Sequence, residues 1–364
     1  VNKFDAIIVG GGLIGMLSAR ELSQAGLSVA LVERNTTGRE SSWAGGGILS
    51  PLYPWRYADA VTALARHSQK VYAELVAALQ QETGIDPQLQ HSGLLILDTE
   101  EQQQAQTWAE QWQVTLQYLE TREQLQAIEA GLAKDYEDGL WFPEVGQVRN
   151  PRLAQSLRVS IEKQGVTLFE HCPVEHLLVA QGRVKGVQTS EGRLEAAKVV
   201  IAGGAWSATL LAETGVVLPV KPIRGQMLLF RAEPGIVSRI VLSRDRYVIP
   251  RRDGRVLVGS TLEDVGFEKQ TTGQARDELY AEALRIIPGL EAYPVEHHWA
   301  GLRPASPEGI PYICSHPHIE GVFINTGHYR NGVVLGPASC HLLRQLVLGE
   351  SPELDPTPYA ISLN

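Results

Sequence analysis

The chain has 364 residues, enough for sizeable cores and for two domains, or for one large domain with an insertion. Its 32 basic and 41 acidic residues give a net charge of −9 with no Lys/Arg-rich block, which argues against a nucleic-acid partner. Glycines and charges break every apolar run short of the roughly 18 residues a membrane span needs. No leading segment is expected to act as a signal peptide, and the three scattered cysteines, read as small buried hydrophobes, fit a reducing compartment, so a cytoplasmic protein is expected.

The apolar run 6–9 reads as a strand that enters the turn Gly10-Gly11-Gly12-Leu13-Ile14-Gly15. Residues 16–25 then read as a helix stopped by Gly26, and 27–32 as a second buried parallel strand. This is the context in which such a turn binds a dinucleotide. Gly10 permits the tight turn, Gly12 lets the backbone approach a pyrophosphate, and Gly15 lets helix and strand pack closely. The pyrophosphate then rests on the helix N-terminus. Glu33, 23 residues after Gly10, is placed to accept hydrogen bonds from a ribose diol, and an acidic residue there argues against a 2′-phosphate.

Residues 40–48 form a long loop of small residues. Ser41 and Ser42 offer hydroxyls and N–H groups to a pyrophosphate or ribityl chain, and Gly45, Gly46 and Gly47 could run along a flat ring; a mobile linker is the competing reading. Helical periodicity covers 57–81, 100–112 and 123–130, with a strand at 91–97, and no chemistry is evident in these segments. Asn150-Pro151 opens a helix through Lys163, followed by a strand at 166–170 and an antiparallel meander at 174–179, 183–189 and 193–195. Val174, beside a strand end, is placed to reach an adenine through its backbone. A buried strand and glycine turn at 198–207 closes the region, so the nucleotide domain is expected to be split in sequence.

From 218 to 260 the pattern changes to consecutive strands, with Asp253-Gly254 as a hairpin turn, and a helix is expected at 273–287. A strand ending at Arg303, before Pro304, gives that guanidinium a stiff support. Cys314, His316 and His318, with Pro317 among them and no clear fourth ligand, read as a structural loop, and no metal is expected. After a strand at 321–325, residues 326–332 lead into a helix expected from about Pro337 to Leu348, whose N-terminus is available to an anion. Read without further context, Arg303 is more often a surface ion-pair residue, Tyr247 packing, and His328 structural rather than a base.

Together, residues 10–15, Glu33-Arg34, the 41–48 loop, 199–206, 299–304 and 327–332 resemble the FAD-dependent amine and D-amino-acid oxidase family over nearly the whole chain. The resemblance implies an α/β (α+β) fold, with a Rossmann-like FAD-binding domain and a second, antiparallel-sheet substrate domain. The expected division is 1–80, 140–215 and 300–364 for FAD, and 81–139 and 216–299 for substrate. The resemblance also implies that Arg303 binds a substrate carboxylate, that Tyr247 hydrogen-bonds it, and that Arg330 lies beside substrate and flavin. Implied FAD contacts are Gly10, Gly12, Leu13, Ile14, Gly15, Glu33, Arg34, Ser41, Ser42, Gly46, Gly47, Ile48, Val174, Arg303, His328, Tyr329, Arg330, Asn331, Gly332, Val333 and Val334. Relatives with covalent flavin carry a cysteine near the position of Arg303, and none occurs here before Cys314, so noncovalent FAD is expected. The implied reaction is oxidative deamination of glycine, sarcosine or short D-amino acids by hydride transfer to flavin N5, giving oxo acid, ammonia and hydrogen peroxide. The alternatives are a related dehydrogenase with a quinone acceptor and a non-catalytic flavin-binding protein. The implied partners are a small amino acid, dioxygen and further copies of the chain, as a homo-oligomer that is tetrameric by family resemblance.

Overall fold

The computed structural model describes residues 2–362. Strand β1 (Asn2–Val9) passes through the glycine turn into helix α1 (Leu13–Gln24) and β2 (Val29–Val32). A short helix, α2 (Ser41–Ala44), interrupts the small-residue loop, where the sequence shows no helical period. Helix α3 (Asp59–Thr83) ends at Gly84, whose φ of 74° closes it in the left-handed conformation. Then come β3 (Leu94–Ile96), α4 (Gln102–Trp112), β4 (Gln117–Leu119), α5 (Arg122–Ile128) and β5 (Gly139–Phe142). Next are α6 (Asn150–Lys163), β6 (Thr167–Phe169), β7 (Val174–Ala180), β8 (Arg183–Thr189), β9 (Gly192–Ile201) and α7 (Ser207–Ala212). The remainder holds β10 (Lys221–Phe230), β11 (Ile240–Ser243), β12 (Arg246–Pro250), β13 (Val256–Gly259), α8 (Gly273–Ile286), β14 (Val295–Ala305), β15 (Tyr312–Ser315), β16 (Val322–Thr326) and α9 (Gly332–Leu348).

The strands form two sheets. The first runs β15-β16-β9-β1-β2-β6, parallel except for the β15/β16 pair, with the β7/β8 hairpin attached to β9. Its strands are apolar on both faces because both are covered. Ala6 and Ile8 face a core built with α1, α3, α6 and α9, whereas Ile7 and Val9 face a second core under the meander. The runs 193–195 and 198–201 are one strand: β9 pairs with β8 through its first half and with β16 through its second, while β1 lines its other edge throughout.

The second sheet runs β14-β10-β13-β12-β11-β3-β5-β4 and is antiparallel apart from the β3/β11 pair. The strands β4 and β5 are too short to announce themselves by alternation. Period-2 geometry sorts the sheet's residues between two cores. Leu228, Phe230, Val248, Val256 and Val258 face α8, whereas Met227, Tyr247, Ile249 and Leu257 face the opposite way. Cross-strand register then sets Tyr247 opposite Gly259, Gly259 opposite Met227, and Met227 opposite Trp299, one row on one face. Arg303 lies four residue pairs beyond Trp299, and so on that same face.

Most element ends shift by a few residues from the sequence expectation, and at two of them a proline is involved. Strand β14 continues past Arg303 to Ala305, because it is an edge strand and tolerates the missing N–H of Pro304. Helix α9 starts at Gly332, so Pro337 lies inside it. A proline there leaves the carbonyl four residues earlier, that of Val333, without its helical donor. The Tyr72 hydroxyl from α3 donates to that carbonyl at 2.9 Å, and the Ser68 hydroxyl accepts from the Ala338 N–H at 2.9 Å. Replacing the buried Tyr72 by Phe leaves a desolvated carbonyl unpaired and should cost about 1–3 kcal/mol, read as a lowered midpoint in thermal or urea unfolding.

Candidate active site

One cleft of about 410 Å³ runs from the glycine turn to the face of the second sheet that carries Tyr247 and Arg303. At its first end, Gly10, Gly12, Leu13 and Ile14 line the wall, and the Leu13 N–H at the start of α1 donates to the Ser42 hydroxyl at 2.7 Å. Gly15 does not line the cleft: a Cβ there would lie 1.8 Å from the Gly10 carbonyl oxygen, so it serves the close approach of helix and turn. The Glu33 carboxylate lines the cleft and also accepts the N–H groups of Gly11 at 2.7 Å and Asn35 at 2.8 Å. It therefore organises the turn as well as facing the space beside it. The Arg34 guanidinium stacks 3.6 Å from the ring centre of Trp206, and Val174 lines the same end.

Ser41, Ser42, Gly46, Gly47 and Ile48 form the middle wall. Residues that the sequence did not single out hold them in place. Buried Asn150, at the start of α6, donates to the Ser42 carbonyl at 2.9 Å. Arg251 donates to the Gly46 carbonyl at 2.8 Å while also bonding Gln147 at 2.7 Å and the Val148 carbonyl at 3.1 Å. The Trp299 indole N–H reaches the Ala44 carbonyl at 3.2 Å. Each contact spans 100 or more residues of sequence, and nothing local in the sequence marks it.

At the far end the Arg303 guanidinium lies across Gly225, where a Cβ would fall 1.9 Å from one terminal nitrogen. It donates to the Ser260 hydroxyl at 2.6 Å and to the Thr261 carbonyl at 3.1 Å. No carboxylate pairs with it among the described residues. Burial first, and then Arg330, hold its pKa below the ordinary arginine value, but a guanidinium stays cationic at any working pH. The Tyr247 hydroxyl donates to the Met227 sulfur at 3.2 Å, a weak acceptor that an oxygen acceptor would displace. Arg330 is 3.5 Å from the Asp245 carboxylate, and its other terminal nitrogen is buried without a partner.

Residues 327–332 bridge the two sheets. Tyr329, in the left-handed region at φ 48°, donates its N–H to the Pro304 carbonyl at 2.9 Å, and His328 pairs with Ala305. His328, Tyr329, Arg330, Asn331, Gly332 and Val333 line the cleft, whereas Val334 points into the helical core. Buried polar atoms without a partner gather here, namely His328 Nε2, Arg330 NH2 and Asn331 Nδ2. A flat polar cofactor fits them: donors at one edge, the N-terminus of α9 beside them, and the dinucleotide turn at the other end of the same cleft.

The comparisons with known proteins agree with this geometry. The model of the DAO family, FAD dependent oxidoreductases, matches residues 5–346. The chain belongs to this family. A glycine oxidase of Pseudomonas aeruginosa is 49% identical over 355 residues, covering 97% of each chain. One of Pseudomonas putida is 46% identical over 357 residues, covering 98% of each. The crystal structure of glycine oxidase from Geobacillus kaustophilus superposes with a TM-score of 0.94 at 30% identity, covering 100% of both chains. The D-amino-acid-oxidase-like fold read from the motifs is thus established, and the chain is a member of an FAD-dependent enzyme family. No helix among the described residues is long and apolar enough to cross a membrane.

The buried His328 ring has one further consequence. Burial pushes its pKa down to about 3, so it is neutral throughout the working range and acts as a neutral hydrogen-bonding group beside the cleft. In the unfolded chain the same ring titrates near 6.5, so between about pH 6.5 and 3 the unfolded state binds the extra proton and stability falls as pH falls. The cofactor-free chain should lose up to about 1.4 kcal/mol per pH unit in that window from this group. His328→Gln should flatten that slope in urea-unfolding free energies measured between pH 6.5 and 4.

Proposed function

We propose that the chain oxidises glycine and small amines such as sarcosine or short D-amino acids to the imine, which water converts to an oxo acid and ammonia. The observation that carries this reading is the unpaired Arg303 guanidinium, set with Tyr247 on one sheet face at the end of the cleft that begins at the dinucleotide turn. A guanidinium with two donors held by Ser260 and Thr261 keeps the remaining N–H groups for a carboxylate, which it binds as a planar, bidentate partner. The Tyr247 hydroxyl supplies a further donor to the same carboxylate. Fixing the carboxylate of a small amino acid from two sides lowers the barrier by orientation rather than by side-chain acid–base work.

FAD, when bound, supplies the electron acceptor for hydride from the substrate carbon and returns its electrons to dioxygen, giving hydrogen peroxide. Gly10, Gly12, Leu13, Ile14, Glu33, Arg34, Ser41, Ser42, Gly46, Gly47, Ile48 and Val174 would hold it, with His328 to Val333 at its flat end. The N-terminus of α9 favours negative charge there. Noncovalent binding is supported by the placement of the cysteines: Cys172, Cys314 and Cys340 are buried and none lines the cleft. In this reading residues 1–80, 140–215 and 300–364 form the cofactor domain and 81–139 and 216–299 the substrate domain, with the boundaries at 140 and 300 falling inside β5 and β14 of the second sheet. Cytoplasmic location is supported by the three scattered cysteines, and homo-oligomeric assembly rests on the resemblance alone.

The substrate amine must be unprotonated for its lone pair to drive imine formation, so turnover should fall as pH drops below the pKa of that amine. Anaerobic glycine should bleach the flavin absorbance of the holoenzyme, and admitted oxygen should restore the colour with stoichiometric peroxide. Arg303→Ala should lower kcat/KM by roughly 10²-fold or more, as expected for losing a buried charge-assisted pair worth about 3 kcal/mol. An unchanged kcat/KM in that variant, or no bleaching with glycine, sarcosine or D-alanine, would overturn the reading.

A further inference from the structure

The groups that hold Arg303 are themselves held by a buried polar network on the side away from the cleft. Thr261, whose carbonyl accepts from Arg303, also accepts the Gln226 N–H on its hydroxyl at 2.9 Å and donates that hydroxyl to Glu263. The Gln226 side-chain amide donates to the same carboxylate oxygen, Glu263 Oε1, at 2.9 Å. Glu263 Oε2 accepts from Arg224 Nε at 3.1 Å and from its terminal nitrogen. The backbones of Arg224 and Glu263 exchange N–H···O bonds at 2.9 and 3.0 Å, which fastens the segment after β13 to β10. Gln226 closes the network by accepting the Thr272 N–H at 2.9 Å, at the start of α8.

Glu263 is the acceptor on which these bonds converge. Burial alone would raise its carboxyl pKa, but hydrogen bonds from Arg224, Thr261 and Gln226 outweigh that and hold it below the usual carboxylate range. An ion pair between a side chain as buried as Arg224 and a carboxylate is a weak source of net stability, and its more telling property is fixed geometry. Here that geometry ends on Arg303.

We propose that Glu263 is a positioning residue for the carboxylate-binding arginine: through Thr261 it fixes the carbonyl that orients the Arg303 guanidinium toward substrate. This inference rests on the reading of Arg303 given above. Glu263 touches neither substrate nor cofactor, so its loss should weaken carboxylate binding more than it slows the chemical step.

The test compares wild-type holoenzyme with Glu263→Gln, Glu263→Asp and Thr261→Val, following flavin reduction by glycine and the binding of acetate, a carboxylate with no amine to oxidise, by flavin difference spectra. Glu263→Gln should raise KM for glycine and Kd for acetate together by about tenfold, with the limiting rate of flavin reduction changed less than threefold. Glu263→Asp should recover part of the affinity. Thr261→Val cuts the link itself and should raise both constants even if Glu263→Gln fails to fold. Unchanged constants in Thr261→Val, or equal losses in affinity and limiting rate in folded Glu263→Gln, would overturn the proposal. If wild type neither binds acetate nor is reduced by glycine, the functional reading has failed as well, and the two failures are distinguished.

Discussion

Two guanidinium groups, Arg303 and Arg330, face one cleft, and contacts from several elements hold both there. Like charges in a low-dielectric site repel strongly unless opposite charge is supplied. Arg330 has Asp245 beside it, on the turn between β11 and β12. Arg303 has only neutral oxygen partners, the Ser260 hydroxyl and the Thr261 carbonyl. Beside it, Met227 and Tyr247 line the cleft on the sheet face.

Keeping both cations in place requires the two sheets to be locked together where they meet. A backbone contact joins them, the Tyr329 N–H on the Pro304 carbonyl, on the outer edge of β14. Proline at 304 keeps that edge from continuing as a regular ladder, and the left-handed Tyr329 turns the chain so that Arg330 and the start of α9 face the cleft. Local backbone strain of this kind persists only where surrounding packing over-determines it, and α9 is pinned against α3 by Tyr72 and Ser68.

Much of this was legible in the sequence because it is encoded locally. The glycine turn with its flanking strands and the hairpin at Asp253-Gly254 each carry their signal within a few residues, whereas Arg303 takes its reading only from the set of motifs together. The places where sequence reasoning stopped short have a common cause, namely contacts between distant segments. Helix α9 starts five residues early because Tyr72, some 260 residues away in sequence, satisfies the carbonyl that Pro337 leaves free. Asn150, Arg251 and Gly225 shape the cleft through partners in other elements, so their residue types alone say nothing about it. Gly15 and Val334 belong to the motif in sequence but to packing in space. Glu33 lies where the motif puts it, yet part of its hydrogen-bonding capacity goes to the turn itself.

The divided pairing of β9 also sets an order of assembly. Its second half stays without one neighbour until β16 has been made, more than a hundred residues later, and the wall formed by 327–332 follows β16. On the ribosome, where a chain emerges at roughly 5–20 residues per second, the first sheet therefore waits several seconds with one edge open after β9 appears. The cleft wall formed by 327–332 is consequently completed only with the last segments of the chain.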